Sequence, residues 1–131
     1  MSSFTKLNLR DDVEDQAPKF GLSPDLEARF ARDPLRSEVT GLSYQRLAPG
    51  MRMPFGHTHA TQEEIYVVLE GAGRAKLDEE IVELEALDAL RVAPETMRAL
   101  EAGPEGLQFV VFGAPRGDRN DAEMAAGWWS D

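Results

Sequence analysis

The sequence has 131 residues, a length that suits one domain built around one hydrophobic core. Its formal net charge of −10 gives a surface that repels phosphate groups, which argues against nucleic acid and anionic membranes as partners. The chain contains no cysteine, so disulfides, thiolate catalysis and cysteine metal sites are excluded.

Residues 1–40 are predicted to form an N-terminal extension with one short helix. Their start has no apolar core of signal-peptide length, and no stretch of the chain is long enough to span a bilayer, so we expect a soluble, cytoplasmic protein. The helix is placed at 22–32, LSPDLEARFAR, where Ser23 can cap it and Pro24 suits its first position. The apolar residues of this segment fall four apart, as on one face of a helix: Leu22, Leu26 and Phe30.

Residues 41–113 are predicted to be the main domain, because their pattern is one of short strands. Apolar runs such as EIYVVL and LQFVVF are separated by turn signals such as PG and GPEG. Many short strands with regular turns predict an all-β antiparallel barrel or sandwich. Within it, RAKLDEEIVEL at 74–84 predicts a hairpin.

The stretch HTHATQEEIYVVLEG carries the candidate site. It contains the two histidines of the chain, His57 and His59, which point the same way if the segment is extended. Two imidazoles side by side on a strand favour a divalent metal site, and a carboxylate on the next strand can complete the ligand set. Glu64 and its neighbour Glu63 are the candidates for that carboxylate.

This pattern resembles the first motif of the cupin superfamily, in which a glycine precedes His-x-His and a glutamate and a second glycine follow. The chain has one residue more than the motif between the first glycine and the first histidine. Glu64 has the motif's spacing to the second glycine, which favours it over Glu63. The matching residues are Gly50, His57, His59, Glu64 and Gly71.

The resemblance covers residues 41–113 and implies a cupin jelly-roll β-barrel with a metal ion inside. With the short helix predicted in the N-terminal extension, the expected fold is all-β with one helical addition. The sequence is most similar to small single-domain bacterial cupins of the cupin 2 type, whose functions are unassigned.

The second cupin motif is reduced to one residue. Aligned on Pro94, the chain has Ala99 where the motif has its histidine ligand, so the fourth metal ligand is missing. We expect the Ala99 side chain to face the two imidazoles. Two hypotheses follow: the three ligands of the first motif hold zinc, nickel, iron or manganese, or the barrel is a metal-free binding or regulatory module.

Three further residues are predicted to line a small-molecule pocket beside these ligands: Tyr66, Ala99 and Gln108. The tail at 114–131 is predicted to pack on the barrel or on a partner subunit, because an exposed Trp128–Trp129 pair is costly. Apolar residues on both faces of several strands exceed what one narrow barrel interior needs. We therefore expect a homodimer.

Overall fold

The structure, a computed structural model, describes residues 3–114 and 122–129. In chain order it contains a 3₁₀ helix at Ala17–Phe20, β1 at Leu26–Phe30, α1 at Arg32–Leu35, β2 at Gly41–Leu47, β3 at Phe55–His59, β4 at Glu63–Leu77, β5 at Glu80–Glu85, β6 at Ala89–Val92, β7 at Arg98–Ala114 and β8 at Ala122–Ala126. Strands dominate, and the predicted all-β fold is confirmed.

The eight strands form one antiparallel sheet. Its main path runs β1–β2–β7–β3–β8, and β4 pairs with β5, β6 and β7. The long strands β4 and β7 pair over most of their length, with shifts of register between Val68 and Glu70 and between Gly71 and Gly73. Such bulges bend a sheet, and here the sheet curls around the core.

Two glycines allow the bend in β4. Gly71 has a φ of +86°, and a Cβ atom there would lie 2.1 Å from the carbonyl oxygen of Gly106. A Cβ atom on Gly73 would lie 2.1 Å from the carbonyl oxygen of Glu101. At these two positions β4 lies so close to the β7 backbone that any residue other than glycine would clash with it.

Alternation along the strands separates the core from the surface. In the first half of β4, Tyr66 and Val68 are buried, whereas Ile65 and Leu69 are exposed. The inner residues pack with Phe109 and other buried side chains of β7. This period-two burial is the physical basis of the strand pattern in the sequence.

The helix predicted at 22–32 is wrong. Residues 26–30 form β1, which pairs with β2 from Leu26 opposite Leu47 to Phe30 opposite Ser43. A spacing of four is also an even number, so the apolar residues that share a helix face share a strand face as well. Backbone pairing with β2 decides in favour of the strand, and the helical residues lie in the two short helices on either side.

The hairpin predicted at 74–84 is confirmed. Arg74 lies opposite Glu83, and Leu77 lies opposite Glu80, so β4 and β5 are joined by a tight turn. Within the described ranges, no helix is long and apolar enough to cross a membrane.

The C-terminal segment is attached to the sheet by β8 and by two tryptophans. β8 pairs with β3 at five positions. The Trp129 ring stacks under the guanidinium of Arg52, 4.5 Å from ring centroid to Cζ, and its Nε1 donates to the carbonyl of Met53 at 3.1 Å. Lys76 Nζ lies 4.2 Å from the centroid of the Trp128 ring and donates to the Trp128 carbonyl at 2.9 Å.

Candidate metal centre

Three side chains that can ligate a metal converge at one end of β3 and β4. His57 and His59 lie on β3, and Glu64 lies near the start of β4. One ligand atom from each lies within 4.8 Å of the other two. The two rings stand edge to face, with centroids 5.0 Å apart. Two imidazole nitrogens and a carboxylate oxygen at this spacing form a donor set that can hold a divalent ion.

Strand geometry explains the convergence. His57 and His59 are two residues apart on an extended strand, so both side chains leave the same face. Glu64 shares the inner face of β4 with the buried Tyr66. Glu63, by contrast, points outward and forms an exposed ion pair with Arg91, with 3.2 Å between Oε2 and Nη1. The structure therefore places Glu64, and not Glu63, beside the histidines.

Both oxygens of Glu64 are in contact with polar neighbours. Oε1 accepts a hydrogen bond from Tyr66 Oη at 2.8 Å and lies 3.3 Å from His57 Nε2. Oε2 lies 3.4 Å from His59 Nε2 and accepts from Gln62 Nε2 at 3.5 Å. The carboxylate is thus fixed in one orientation before any ligand binds.

The ionisation states follow from burial and these contacts. Burial alone raises the pKa of Glu64, but the hydrogen bonds and charges of His57 and His59 outweigh it and hold that pKa far below its ordinary value. Burial, together with the nearby Glu64 charge, raises the pKa of Tyr66 well above its ordinary value. Glu64 is therefore an anion at neutral pH, and Tyr66 stays protonated as its donor.

Arg98 lies beside this cluster. Its side chain is fully buried, and Nη1 donates to Glu64 Oε1 at 3.2 Å while Nη2 donates to the carbonyl of Ala93. Arg98 on β7 also lies directly opposite His57 on β3, so the two side chains share one face of the sheet. A cation thus stands next to the three potential ligands.

Ala99 lies on the other face of β7. Its cross-strand partner is Lys76, which contacts Trp128, and both Ala99 and Lys76 are buried there. The structure therefore brings Arg98, and not Ala99, to the imidazoles. Arg98 and Leu100 share one face of β7, whereas Ala99 and Glu101 share the other, and residues 98–100 are all buried.

The other two pocket residues lie in different places. Tyr66 is at the cluster, hydrogen-bonded to Glu64. Gln108 lies on the outer face of β7, since its neighbour Phe109 is buried in the core. There Gln108 accepts from Tyr44 Oη at 2.7 Å and donates to Glu70, so it is not brought to the cluster.

A cavity of about 640 Å³ opens next to the cluster. Its polar end is formed by the two histidines and the glutamate, and most of its wall is apolar. Much of that wall comes from residues outside the predicted barrel, which the sequence patterns did not point to. The apolar wall includes Leu26, Ala28 and Phe30 of β1, Phe55 of β3 and Met124 of β8.

Comparisons with known proteins identify the fold. No family model matches the sequence. An uncharacterized protein of Methanocaldococcus jannaschii is 35% identical over 69 residues, which are 52% of this chain and 55% of that protein, so the chain spans about half the length of this curated relative. A solved cupin protein from Bacteroides fragilis is 28% identical, with a TM-score of 0.73 over 90% of this chain and 89% of its own.

A variant of oxalate decarboxylase from B. subtilis is 20% identical and has a TM-score of 0.76, over 95% of this chain and 33% of that one. At this identity the likeness concerns the fold alone. The curled antiparallel sheet, the first-motif residues on β3 and β4, and the similarity to the Bacteroides fragilis cupin all agree. The chain has the cupin fold.

Proposed function

We propose that this protein binds a small molecule in the cavity described above, hereafter the cleft. The molecule binds there at a divalent metal ion held by His57, His59 and Glu64. The observation that carries the proposal is the convergence of their ligand atoms within 4.8 Å at the polar end of the cavity. Zinc, nickel, iron and manganese all accept two imidazoles and a carboxylate. When bound, such an ion polarises an oxygen atom of a ligand as a Lewis acid.

Two residues that do not ligate the metal are proposed to orient Glu64. Tyr66 and Arg98 both donate to Oε1, and this fixes the plane of the carboxylate. Hydrogen-bonding partners of a ligating carboxylate commonly control metal affinity in this way. The same contacts set the charge of the pocket, because Arg98 neutralises part of the Glu64 anion.

The Arg98–Glu64 pair also favours a second candidate, the metal-free binding or regulatory barrel. Arg98 is fully buried and already supplies the positive charge that a buried carboxylate needs. In that case the cleft binds its ligand through the imidazoles and the apolar wall alone. The two candidates differ in one measurable property, the metal content of the protein.

Elemental analysis of protein purified without a histidine tag or chelator separates the two. The metal proposal predicts close to one equivalent of a transition metal per chain, and much less in His57→Ala. The matched control is Arg91→Ala, which removes an exposed side chain outside the cluster. A wild-type protein without metal after expression in medium supplemented with all four metals supports the metal-free barrel.

We further propose that the protein is a homodimer that uses the outer face of β4 and β7. Ile65 and Phe112 lie opposite each other there and are 40% and 39% exposed. Leu69 on the same strand face is 46% exposed. Apolar side chains grouped on one face are typical of a protein interface. A cytoplasmic location stays a prediction from composition.

A further inference from the structure

Arg32, the first residue of α1, lines the cleft with an unsatisfied guanidinium group. Its Nη1 atom is buried and has no hydrogen-bond partner. Among the residues that the structure describes, no carboxylate forms an ion pair with Arg32. Arg10 and Arg36, which also lack an acidic partner among the described residues, are exposed, whereas Arg32 is partly buried in a chain with 24 acidic and 14 basic residues. A buried polar group without a partner calls for a physical explanation.

The position of Arg32 relative to the cluster follows from the sheet register. Gly41 on β2 lies opposite Gly113 on β7, which in turn lies opposite Glu64 on β4. Arg32 lies over the first residue of this row, since a Cβ atom on Gly41 would be 2.9 Å from Arg32 Nη2. Two strand spacings, roughly 10 Å, therefore separate the part of the sheet under Arg32 from Glu64.

Two of the three residues paired across β2, β7 and β4 are glycines, Gly41 and Gly113, and have no side chain. A Cβ atom on Gly113 would lie 2.3 Å from Gln62 Nε2, so Gln62 covers that glycine as Arg32 covers Gly41. The two glycines thus leave room for a cation and an amide at the bottom of the cleft. Apolar residues of β1, β3 and β8 also line the cleft. The cleft offers a cation at one end, the histidine–glutamate cluster at the other, and apolar surface between.

This charge arrangement selects one class of ligand. Apart from the two histidines, the described residues that line the cleft include two charged ones, Glu64 and Arg32. Glu64 already forms an ion pair with Arg98. Arg32 therefore gives the free part of the cleft a positive charge within an apolar wall. A planar carboxylate matches the two parallel N–H groups of a guanidinium. An apolar body of up to about 10 Å then fits between Arg32 and the cluster.

We propose that Arg32 binds the carboxylate of a small apolar acid whose body lies against the wall of the cleft. The proposal rests on the small-molecule binding described above and names the class of that molecule, but it does not depend on a bound metal. Arg32 is in this account the residue that determines specificity for an acid over a neutral molecule of the same shape.

The test compares an acid with its neutral match. Isothermal titration calorimetry of the full chain, treated with chelator and then dialysed at pH 7, is carried out with 4-phenylbutyrate and with 4-phenylbutanamide. The wild type is expected to bind the acid at least about tenfold more tightly than the amide, because a charge-assisted pair is stronger than a neutral hydrogen bond. This comparison needs no variant, so it remains valid whatever the variants do.

Variants then assign the preference to Arg32. Arg32→Met is expected to bind acid and amide equally, with amide affinity unchanged, and Arg32→Lys is expected to keep part of the preference. Arg91→Met removes the same charge outside the cleft and is expected to behave as the wild type. Equal binding of the two probes by the wild type, no binding of either, or a full preference in folded Arg32→Met overturns the proposal. Because metal is absent throughout, these results are independent of whether the metal proposal stands.

Discussion

Arg98 donates a hydrogen bond to Glu64 across the inside of the barrel, with 3.2 Å between Nη1 and Oε1. A guanidinium thus stands beside the three potential metal ligands. Arg98 supplies a positive charge that partners the carboxylate. Arg98 therefore balances the negative charge of Glu64, and three side chains at the cluster can ligate a metal.

Replacing Arg98 by histidine is predicted to strengthen metal binding. Arg98 lies directly opposite His57, where Cβ atoms are about 5 Å apart, so an imidazole at this position can reach an ion held by His57. The affinity for zinc or nickel is expected to rise well over tenfold, since a new imidazole–metal bond exceeds the ~1.4 kcal/mol that tenfold requires. Calorimetric metal titration of Arg98→His measures the change.

Two further variants control this prediction. Arg91→His places an imidazole on the exposed side of β6 and is expected to leave metal affinity unchanged. Ala99→His places it on the face of β7 opposite Arg98, toward Lys76 and Trp128, and is also expected to give no gain. A gain in Ala99→His and none in Arg98→His, with both proteins folded, contradicts the placement of these two side chains.

The ion pairs of Glu27 predict how β1 responds to pH. Glu27 Oε1 lies 3.1 Å from Arg46 Nε on β2, and Oε2 lies 2.5 Å from Arg29 Nε. Burial raises the pKa of Glu27, but the hydrogen bonds from both arginines outweigh it and leave the pKa below its ordinary value of 4.5. The unfolded chain therefore takes up the proton first, so the stabilisation is complete above about pH 4.5 and is lost as the pH falls through the lower folded pKa.

Glu27→Gln is accordingly expected to lower the free energy of unfolding by about 2 kcal/mol at pH 7. The difference from the wild type should shrink between pH 4.5 and pH 3. Urea unfolding followed by circular dichroism measures both values, and the exposed Glu95→Gln serves as the control with little effect. A difference that stays constant down to pH 3 speaks against the β1–β2 contact.

Contact between Gly56 and Trp128 predicts a coupled effect on stability. A Cβ atom on Gly56 would lie 2.6 Å from Trp128 Cγ, so the C-terminal segment packs on β3 only because this residue has no side chain. Gly56→Ala is expected to cost about 1–3 kcal/mol of unfolding free energy in the wild type. In Trp128→Ala the same change should cost close to nothing.

A double-mutant cycle measured by urea unfolding gives the coupling energy, expected to be about 1 kcal/mol or more. Additive effects of the two substitutions mean that Trp128 does not occupy this position in solution.

The proposed dimer predicts a mass of two chains in solution. Multi-angle light scattering at micromolar concentration measures it directly. Ile65→Glu places a charge on the proposed interface and is expected to give monomers, whereas Ile81→Glu, equally apolar and exposed but on β5, should remain dimeric. A monomeric wild type rules out this interface.

Local patterns were enough to predict much of this molecule. The spacing of His57, His59 and Glu64 is a property of two neighbouring strands, and alternation fixes their common face. The hairpin at 74–84 is equally local. The strand at Leu26–Phe30 was missed because a spacing of four fits both a helix and a strand, and only pairing with β2 decides between them.

Features set by distant parts of the chain could not be predicted in the same way. The alignment on Pro94 predicts Ala99 beside the potential metal ligands, and an error of one residue on a strand moves a side chain to the opposite face. The wall of the cleft is built by Phe30 and other residues far from the motif in sequence. The position of Arg32 over Gly41 depends on tertiary packing and leaves no periodic signal.

Zinc titration of chelator-treated, untagged protein directly tests whether His57, His59 and Glu64 form a metal centre. Isothermal titration calorimetry of the wild type is expected to show one zinc per chain, with affinity reduced at least about tenfold in His57→Ala, His59→Ala and Glu64→Gln and unchanged in Arg91→Ala. Nickel, manganese and ferrous iron are titrated in the same way. Absence of binding for all four ions, or binding that survives unchanged in the three ligand variants, contradicts a metal centre at His57, His59 and Glu64.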